Sequence, residues 1–248
     1  GVARYRSKKG SASGFSRWPV RPPRRFAFSS SVSSMSALLY QRGLLPLHGS
    51  AVVTQWGAMM FVGPQGSGKS TLAAEFHRCG YRLLSDDVCA VESRPEGLRI
   101  LPALTQFRLC ATAYQYLGAP PEARFDVDKF AVPMGEKYCP HPAPLRAIHI
   151  LSDDTGESPR FEVVRGLDRV RCLFENLYRP HFLKGQRTQK DLVGLVGVIA
   201  QRTTVAVVSR KRDITAITDL VRFLESTWDE RFGTSSNPRE EFNAPLRS

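Results

Sequence analysis

Residues 63–71 have the types and spacing of a phosphate-binding loop. The segment reads Gly-Pro-Gln-Gly-Ser-Gly-Lys-Ser-Thr, which fits the pattern G-x-x-x-x-G-K-[ST]. Its glycines let the backbone curl so that successive N–H groups face one concavity, while Lys69 offers a charge to the β- and γ-phosphates and Ser70 a hydroxyl ligand to Mg²⁺. The sequence therefore predicts a site for a nucleoside triphosphate and Mg²⁺, formed by Gly63, Gln65, Gly66, Ser67, Gly68, Lys69, Ser70 and Thr71.

The segments on either side of the loop agree with this interpretation. Residues 58–62 are apolar and predict a buried strand, and residues 70–78 predict a helix. A helix that begins at the loop places its partial positive charge beneath the phosphates. The alternative is a glycine-rich turn that binds nothing.

Two adjacent carboxylates form a second candidate element. Ser85-Asp86-Asp87 interrupts a strand-like run and follows the loop after one helix and one strand. Two unpaired buried charges would be costly, whereas beside Mg²⁺ and an attacking hydroxyl one carboxylate can hold the metal and the other can accept a proton. The alternative is an exposed Asp-Asp turn.

A histidine precedes these elements. His48 lies directly before Gly49, on the strand expected to pair with the one that enters the loop. From that place it could reach the γ-phosphate or the incoming hydroxyl. A single histidine is also commonly structural, and both interpretations remain open from the residues alone.

Composition limits the class of protein. The net charge of +12 is concentrated in residues 1–30, which hold eight basic residues and no acid, so the remainder carries only +4. No apolar run is long enough to span a membrane. The five cysteines are scattered and form no C-x-x-C pair, which favours reduced thiols in the cytoplasm over disulfides or a zinc site.

The basic segment, residues 1–34, is predicted to be a disordered tail, with a nucleic-acid-binding arm as the less favoured alternative. The same composition resembles a transit peptide. From residue 37 we expect strands over 47–54, 58–62, 81–84, 88–92, 98–101, 125–132, 146–151, 161–164 and 204–209, and helices over 70–78, 112–117, 166–178, 191–201 and 213–226. Asp213 is the expected N-cap of the last helix. Residues 231–248 are expected to form a flexible C-terminal tail.

Three segments in this order resemble the catalytic domain of the HPr serine kinase/phosphorylase family and its shorter relatives. They are residues 48–52, 63–71 and 80–88, and weaker likeness continues through 102–109, 128–130, 145–151 and 175–179. The resemblance covers about residues 35–228, so that a single domain over 35–230 is expected. It implies an α/β fold, a P-loop kinase domain of the type shared with phosphoenolpyruvate carboxykinase.

The resemblance also implies roles for individual residues. The family transfers the γ-phosphoryl group of ATP to a serine hydroxyl with Mg²⁺. By position, Asp86 would be the general base, Asp87 and Ser70 would hold the metal, and His48 and Lys69 would lie at the transferring phosphate. Arg108 matches a basic position of the shorter relatives and would contact phosphate or substrate, with a surface salt bridge as the alternative.

Two features of the full-length enzymes are not found, namely their extra N-terminal domain and the signature Glu-[Ile/Val]-Arg-Gly. Residues 102–109 occupy that region without the acid. The closer resemblance is therefore to short kinases that accompany ribosomal-peptide pathways, including lasso peptides. The expected partner is a serine-containing peptide or small protein, with oligomerisation possible and neither membrane nor nucleic acid expected. A kinase of a small hydroxylated molecule and a non-catalytic nucleotide-binding regulatory module are the alternatives.

Overall fold

A computed structural model describes residues 36–103, 106–118, 123–126, 129–133, 137–180 and 186–233. These residues form a mixed α/β fold around a central sheet. The predicted basic tail, residues 1–34, lies outside the described residues. The last helix continues through Phe232, two residues into the predicted C-terminal tail, and residues 234–248 lie outside the description.

Eleven strands and six helices are described in these residues. The strands are β1 Leu45–Thr54, β2 Gly57–Val62, β3 Arg82–Ser85, β4 Val88–Arg94, β5 Gly97–Leu101, β6 Gln106–Cys110, β7 Ala123–Asp126, β8 Lys129–Pro133, β9 Ala143–Asp153, β10 Arg160–Val163 and β11 Thr204–Arg210. The helices are α1 over 36–41, α2 Lys69–Arg78, α3 Ala111–Leu117, α4 Asp168–Glu175, α5 Gln186–Arg202 and α6 Ile217–Phe232.

The central sheet has eight strands. Seven of them lie in the order β10-β11-β9-β2-β1-β4-β5. The eighth, β3, pairs with residues 51–53 of β1, whereas β4 pairs with residues 45–48 of the same strand. β2, β9 and β11 run parallel, whereas β1 is antiparallel to β2, β3 and β4. The carboxyl ends of β2, β9 and β11 therefore meet at one edge, which is where the loop at residues 63–68 leaves β2. β6, β8 and β7 form a separate three-stranded sheet.

Helices cover both faces of the central sheet. Successive side chains of β2 point to opposite faces and enter two different hydrophobic clusters. Met60 packs in the cluster that contains residues of α4 and α5, and Phe61 packs in the cluster that contains residues of α2 and α6. Because both faces are covered, β2 is buried along its whole length. This rigid strand carries the start of the loop.

An aromatic cluster fastens α2 and α6 to the sheet. Trp228 is fully buried and stacks with Phe76 at 5.3 Å between ring centroids, while its indole Nε1 donates to Nε2 of His149 at 3.1 Å. Burial lowers the pKa of His149 to about 4, because the charged imidazolium would lose its hydration. The ring is therefore neutral in the folded protein at pH 7.

This burial predicts a loss of stability in mild acid. The unfolded chain protonates His149 near its ordinary pKa of 6.5, and the folded chain only near 4, so the unfolded state binds more protons as pH falls through that window. The free energy of unfolding should drop by up to about 3 kcal/mol from this group between pH 6.5 and pH 4. Urea titrations of the wild type and His149→Gln at pH 7 and pH 5 would measure the difference. Equal losses in both proteins would contradict the assignment.

Two local predictions are wrong. The expected strand over 125–132 is a pair of antiparallel strands, β7 and β8; the segment contains no glycine or proline that would mark the reversal. Asp213 is not the N-cap of α6, which begins at Ile217 with Ala216 in that place. Its carboxylate instead accepts from the backbone N–H and hydroxyl of Thr215 at 2.9 and 2.7 Å, a local turn that competes with capping.

The remaining predicted elements are present with ends that differ by up to six residues, and the interruption at 86–87 lies between β3 and β4. The five cysteines are all free thiols. Within the described part of the chain, no helix combines the length and the apolar character needed to cross a membrane.

Candidate active site

The loop begins in a backbone conformation that only glycine adopts readily. Gly63 has φ of 140°, and a Cβ atom there would lie 2.8 Å from the carbonyl oxygen of Leu151 on β9. The close approach explains why the first position of the motif must lack a side chain. Further along, the hydroxyl of Ser67 is buried and has no hydrogen-bond partner within the described residues, so a polar atom of the loop remains to bind an oxygen ligand.

Lys69 opens α2 and folds back over the loop. Its residue is only 6% exposed, and Nζ donates to the carbonyl oxygens of Gly63 and Pro64 at 2.9 and 2.8 Å. A nearly buried ammonium group needs such acceptors because its desolvation is costly. A phosphate oxygen is a charged acceptor and would bind the same group more strongly.

Asp86 directly follows β3 and is buried. Its Oδ1 accepts from the hydroxyl of Ser50 at 2.6 Å and its Oδ2 from the backbone N–H of Arg108 at 2.9 Å, and the nearby hydroxyl of Ser70 acts on the pKa of Asp86 in the same direction as these donors. Burial raises the pKa of Asp86, and these donors oppose the rise. Two donors occupy two of about four acceptor positions on a carboxylate, so a position remains for a further proton.

Asp87 has a left-handed backbone, with φ of 71°, and its carboxylate is 23% exposed. Its Oδ1 lies 3.5 Å from Nδ1 of His48, and its Oδ2 lies 3.4 Å from Nη1 of Arg108. Asp86 and Asp87 are thus adjacent in sequence but differ in environment, because one is buried among neutral donors and the other faces two basic side chains. Different environments give paired carboxylates different roles.

His48 lies on β1 beside the two aspartates. Its Nδ1 is 3.0 Å from the backbone oxygen of Asp87, which makes Nδ1 the protonated nitrogen of the neutral ring. Burial and the nearby charge of Lys69 lower the pKa of His48, and the two aspartates raise it in part. The imidazole is therefore neutral at pH 7 and lies within the electrostatic field of Lys69.

The glycine that follows this histidine has a packing reason. A Cβ atom at Gly49 would lie 2.5 Å from the carbonyl oxygen of Phe61, so β1 and β2 can approach here only without a side chain. That approach draws His48 toward the strand that carries the loop. The pair His48-Gly49 is thus a structural requirement of the site.

Two residues beside the site were not predicted from the sequence. Ser50 donates to Asp86, and the Tyr178 ring lies 5.9 Å from the His48 ring. The period of two along a strand places Ser50 on the same face as His48, which is a signal available in the sequence. Tyr178 lies after α4, which ends at Glu175 and so is shorter than the helix expected over 166–178. In the segment that follows, the backbone oxygen of Asn176 accepts from the backbone N–H of His48 at 2.9 Å.

The oxygen donors near the loop suit Mg²⁺ bound together with a nucleotide, rather than a metal ion whose ligands all come from the protein. The described residues contain no group of three or more His, Cys, Asp or Glu side chains that could bind a metal ion. The hydroxyl of Ser70 lies beside Asp86, Asp87 is the next residue, and Mg²⁺ is commonly bound by one or two carboxylates plus substrate phosphates. These residues therefore fit a metal that arrives with a nucleotide.

The predicted site residues thus fall into one region around the loop. The described contacts join Ser70 to Asp86, His48 to Asp87, and Arg108 to both aspartates. Arg108 is consequently not in an isolated surface salt bridge. Gln65 and Gly66 are on the exposed side of the loop.

Comparison with known proteins finds a distant likeness among solved structures. No protein-family model matches the chain. No curated protein matches it either. Among solved structures, it is similar to that of the Hpr(Ser) kinase/phosphatase from Coxiella burnetii, with 11% sequence identity, coverage of 76% of this chain and 99% of that chain, and a TM-score of 0.43.

Proposed function

We propose that this protein is an ATP- and Mg²⁺-dependent kinase that transfers the γ-phosphoryl group to a seryl hydroxyl of a peptide or small protein. The observation that carries the proposal is the position of Asp86, a buried carboxylate that accepts from Ser50 and from the backbone N–H of Arg108. This position sets a carboxylate of raised pKa beside Ser70 of a phosphate-binding loop. Proton acceptance and phosphate binding are thereby brought into one site, which is what phosphoryl transfer to an alcohol needs.

Asp86 is the general base in this proposal. Its remaining acceptor position would receive the proton of the attacking hydroxyl, and its raised pKa increases its basicity. Ser50 and the backbone N–H of Arg108 keep the carboxylate in one orientation. The acceptor's oxygen would then bond to the γ-phosphorus as the bond to the β-phosphate oxygen breaks.

Lys69, His48 and Arg108 surround the transferring group in this proposal. Lys69 would exchange its bonds to Gly63 and Pro64 for phosphate oxygens. His48, neutral at pH 7 because its pKa is lowered, donates its Nδ1–H to the backbone oxygen of Asp87 and would present Nε2 as an acceptor to the incoming hydroxyl. Arg108 holds Asp87 and would contact phosphate or substrate from the same side.

Ser70 and Asp87 would hold the metal, with the nucleotide's phosphates completing its ligands. Mg²⁺ supplies neutralisation of the charge on the β- and γ-phosphate oxygens. Asp87 suits this role because its carboxylate is partly exposed. Ser70 lies in the first turn of α2 and beside Asp86.

The acceptor assignment is tested by direct phosphorylation. Purified protein would be incubated with γ-labelled ATP, Mg²⁺ and peptides encoded beside its gene, and the products would be analysed by mass spectrometry. We expect the addition of one phosphate to a serine, abolished by chelation of Mg²⁺. Phosphate found instead on a small hydroxylated compound would replace the peptide substrate. Tight nucleotide binding without transfer to any acceptor would identify a regulatory module and overturn the kinase proposal.

A further inference from the structure

Three parallel strands deliver a charged pair to the flank of the phosphate loop. β2 ends at the loop, β9 ends at Asp153 and β11 ends at Arg210, and Asp153 and Arg210 are register partners. Because the carboxyl ends of parallel strands meet at one edge, both side chains lie beside residues 66–68. Neither residue belongs to the loop motif or to the aspartate pair.

Arg210 bonds to the loop backbone itself. Its Nη2 donates to the carbonyl oxygen of Ser67, and its Nη1 donates to Oδ1 of Asp153 at 3.2 Å. The side chain is only 11% exposed. A guanidinium group buried to this extent is costly unless it is paired and hydrogen-bonded, and the Asp153 carboxylate supplies the pair.

The glycines of the loop leave room for this contact. A Cβ atom at Gly68 would lie 3.1 Å from Nη2 of Arg210, so a side chain there would press against the guanidinium group. Asp153 also lies 3.8 Å from Nη1 of Arg212, which is mostly exposed and approaches Gly66. The loop is thus held from its outer side by residues of β9 and β11.

We propose that Arg210, oriented by Asp153, is a positioning residue that sets the phosphate loop in its nucleotide-binding form. The peptide unit between Ser67 and Gly68 is planar, so its C=O and N–H groups point in opposite directions. Arg210 fixes the C=O on the outer side, and this directs the N–H of Gly68 into the concavity where phosphate oxygens bind. The inference rests on the proposed nucleotide-binding function.

The test compares nucleotide affinity with turnover. Arg210→Gln should weaken MgADP binding, measured by titration calorimetry, by about 10-fold, in line with the loss of a charge-assisted hydrogen bond. The KM for ATP should rise similarly, while kcat at saturating ATP should change by no more than about threefold, because the lost effect concerns binding of ground state and transition state alike. Arg210→Lys should be intermediate, because lysine keeps the charge but lacks the planar fork that reaches two acceptors.

Asp153→Asn and the double variant isolate the orienting role. If Asp153 acts through Arg210, the double variant should bind MgADP no more weakly than Arg210→Gln alone. Arg222→Gln is the matched control, because Arg222 is exposed and paired with Asp219 one helical turn away on α6. Its MgADP affinity should equal that of the wild type. Measurements below the unfolding temperature of every variant separate positioning from stability.

Three results separate the Arg210 inference from the kinase proposal. MgADP affinity of Arg210→Gln within twofold of the wild type would remove the positioning role while leaving the kinase proposal intact. A wild-type protein that binds MgADP but transfers no phosphate would end the kinase proposal and leave the Arg210 measurement valid. Failure of the wild type to bind MgADP at all would remove both.

Discussion

Asp86→Asn is expected to abolish phosphoryl transfer while nucleotide binding survives. The amide has nearly the shape of the carboxylate but cannot accept a proton from the attacking hydroxyl. General-base catalysis contributes about 100- to 10,000-fold to such reactions, so kcat should fall by that factor. The affinity for MgADP should change little, because Asp86 accepts hydrogen bonds from Ser50 and the Arg108 backbone and neither of these contacts is to the nucleotide in the proposed site.

The measurement pairs initial rates with calorimetric MgADP binding on the same preparation. Asp219→Asn is the control, because Asp219 is an exposed carboxylate on α6 and its loss should alter neither quantity. Full transfer activity in Asp86→Asn would remove the base role.

The contact between Asp86 and Ser70 allows one sharper distinction. Ser70 is the predicted metal ligand, so a metal-binding role for Asp86 predicts that Asp86→Asn regains activity as Mg²⁺ is raised. A general-base role predicts no such recovery, whereas Asp87→Asn should then show the dependence on Mg²⁺ concentration. If Asp87 were the general base and Asp86 the metal ligand, the activity of Asp86→Asn would recover at raised Mg²⁺ and that of Asp87→Asn would not.

The strand, loop and helix around residues 63–71 and the interruption at the two aspartates could be predicted because each is a local pattern. Gly63 and Lys69 have fixed spacings, and an apolar strand and a helix flank them in sequence. The placement of Asp86 beside Ser70 follows from the pairing of β1 with both β2 and β3. The interruption of a strand-like run at the two aspartates signals the end of β3 but does not reveal its partner.

Contacts between distant segments could not be predicted in the same way. Arg210 lies 143 residues from Ser67 in sequence, and nothing in the local pattern of β11 distinguishes it from the other basic residues nearby. The same limit explains Asp213, whose carboxylate bonds to Thr215 rather than capping α6. Asp is suited to both arrangements, and only the position at which the chain packs against the sheet selects one.

Lys69→Ala is expected to lose nucleotide affinity, whereas Asp86→Asn is expected to lose phosphoryl transfer. The variant removes a cation that two carbonyl oxygens hold at the loop and that would bind phosphate oxygens. Loss of two charge-assisted hydrogen bonds costs about 2–4 kcal/mol, so MgATP affinity should fall by roughly 30- to 1,000-fold. Lys190→Ala, at an exposed position of α5, should bind as the wild type does.

The pair of variants tests the site as one unit. If residues 63–71 were only a turn, Lys69→Ala would leave MgATP affinity unchanged, and this result would contradict every role assigned around the loop. If the loop binds nucleotide but the aspartates are structural, Lys69→Ala would lose binding while Asp86→Asn kept its turnover. Loss of MgATP binding in Lys69→Ala together with loss of transfer in Asp86→Asn is expected where residues 63–71 bind the phosphates of the nucleotide and Asp86 takes part in transferring its γ-phosphoryl group.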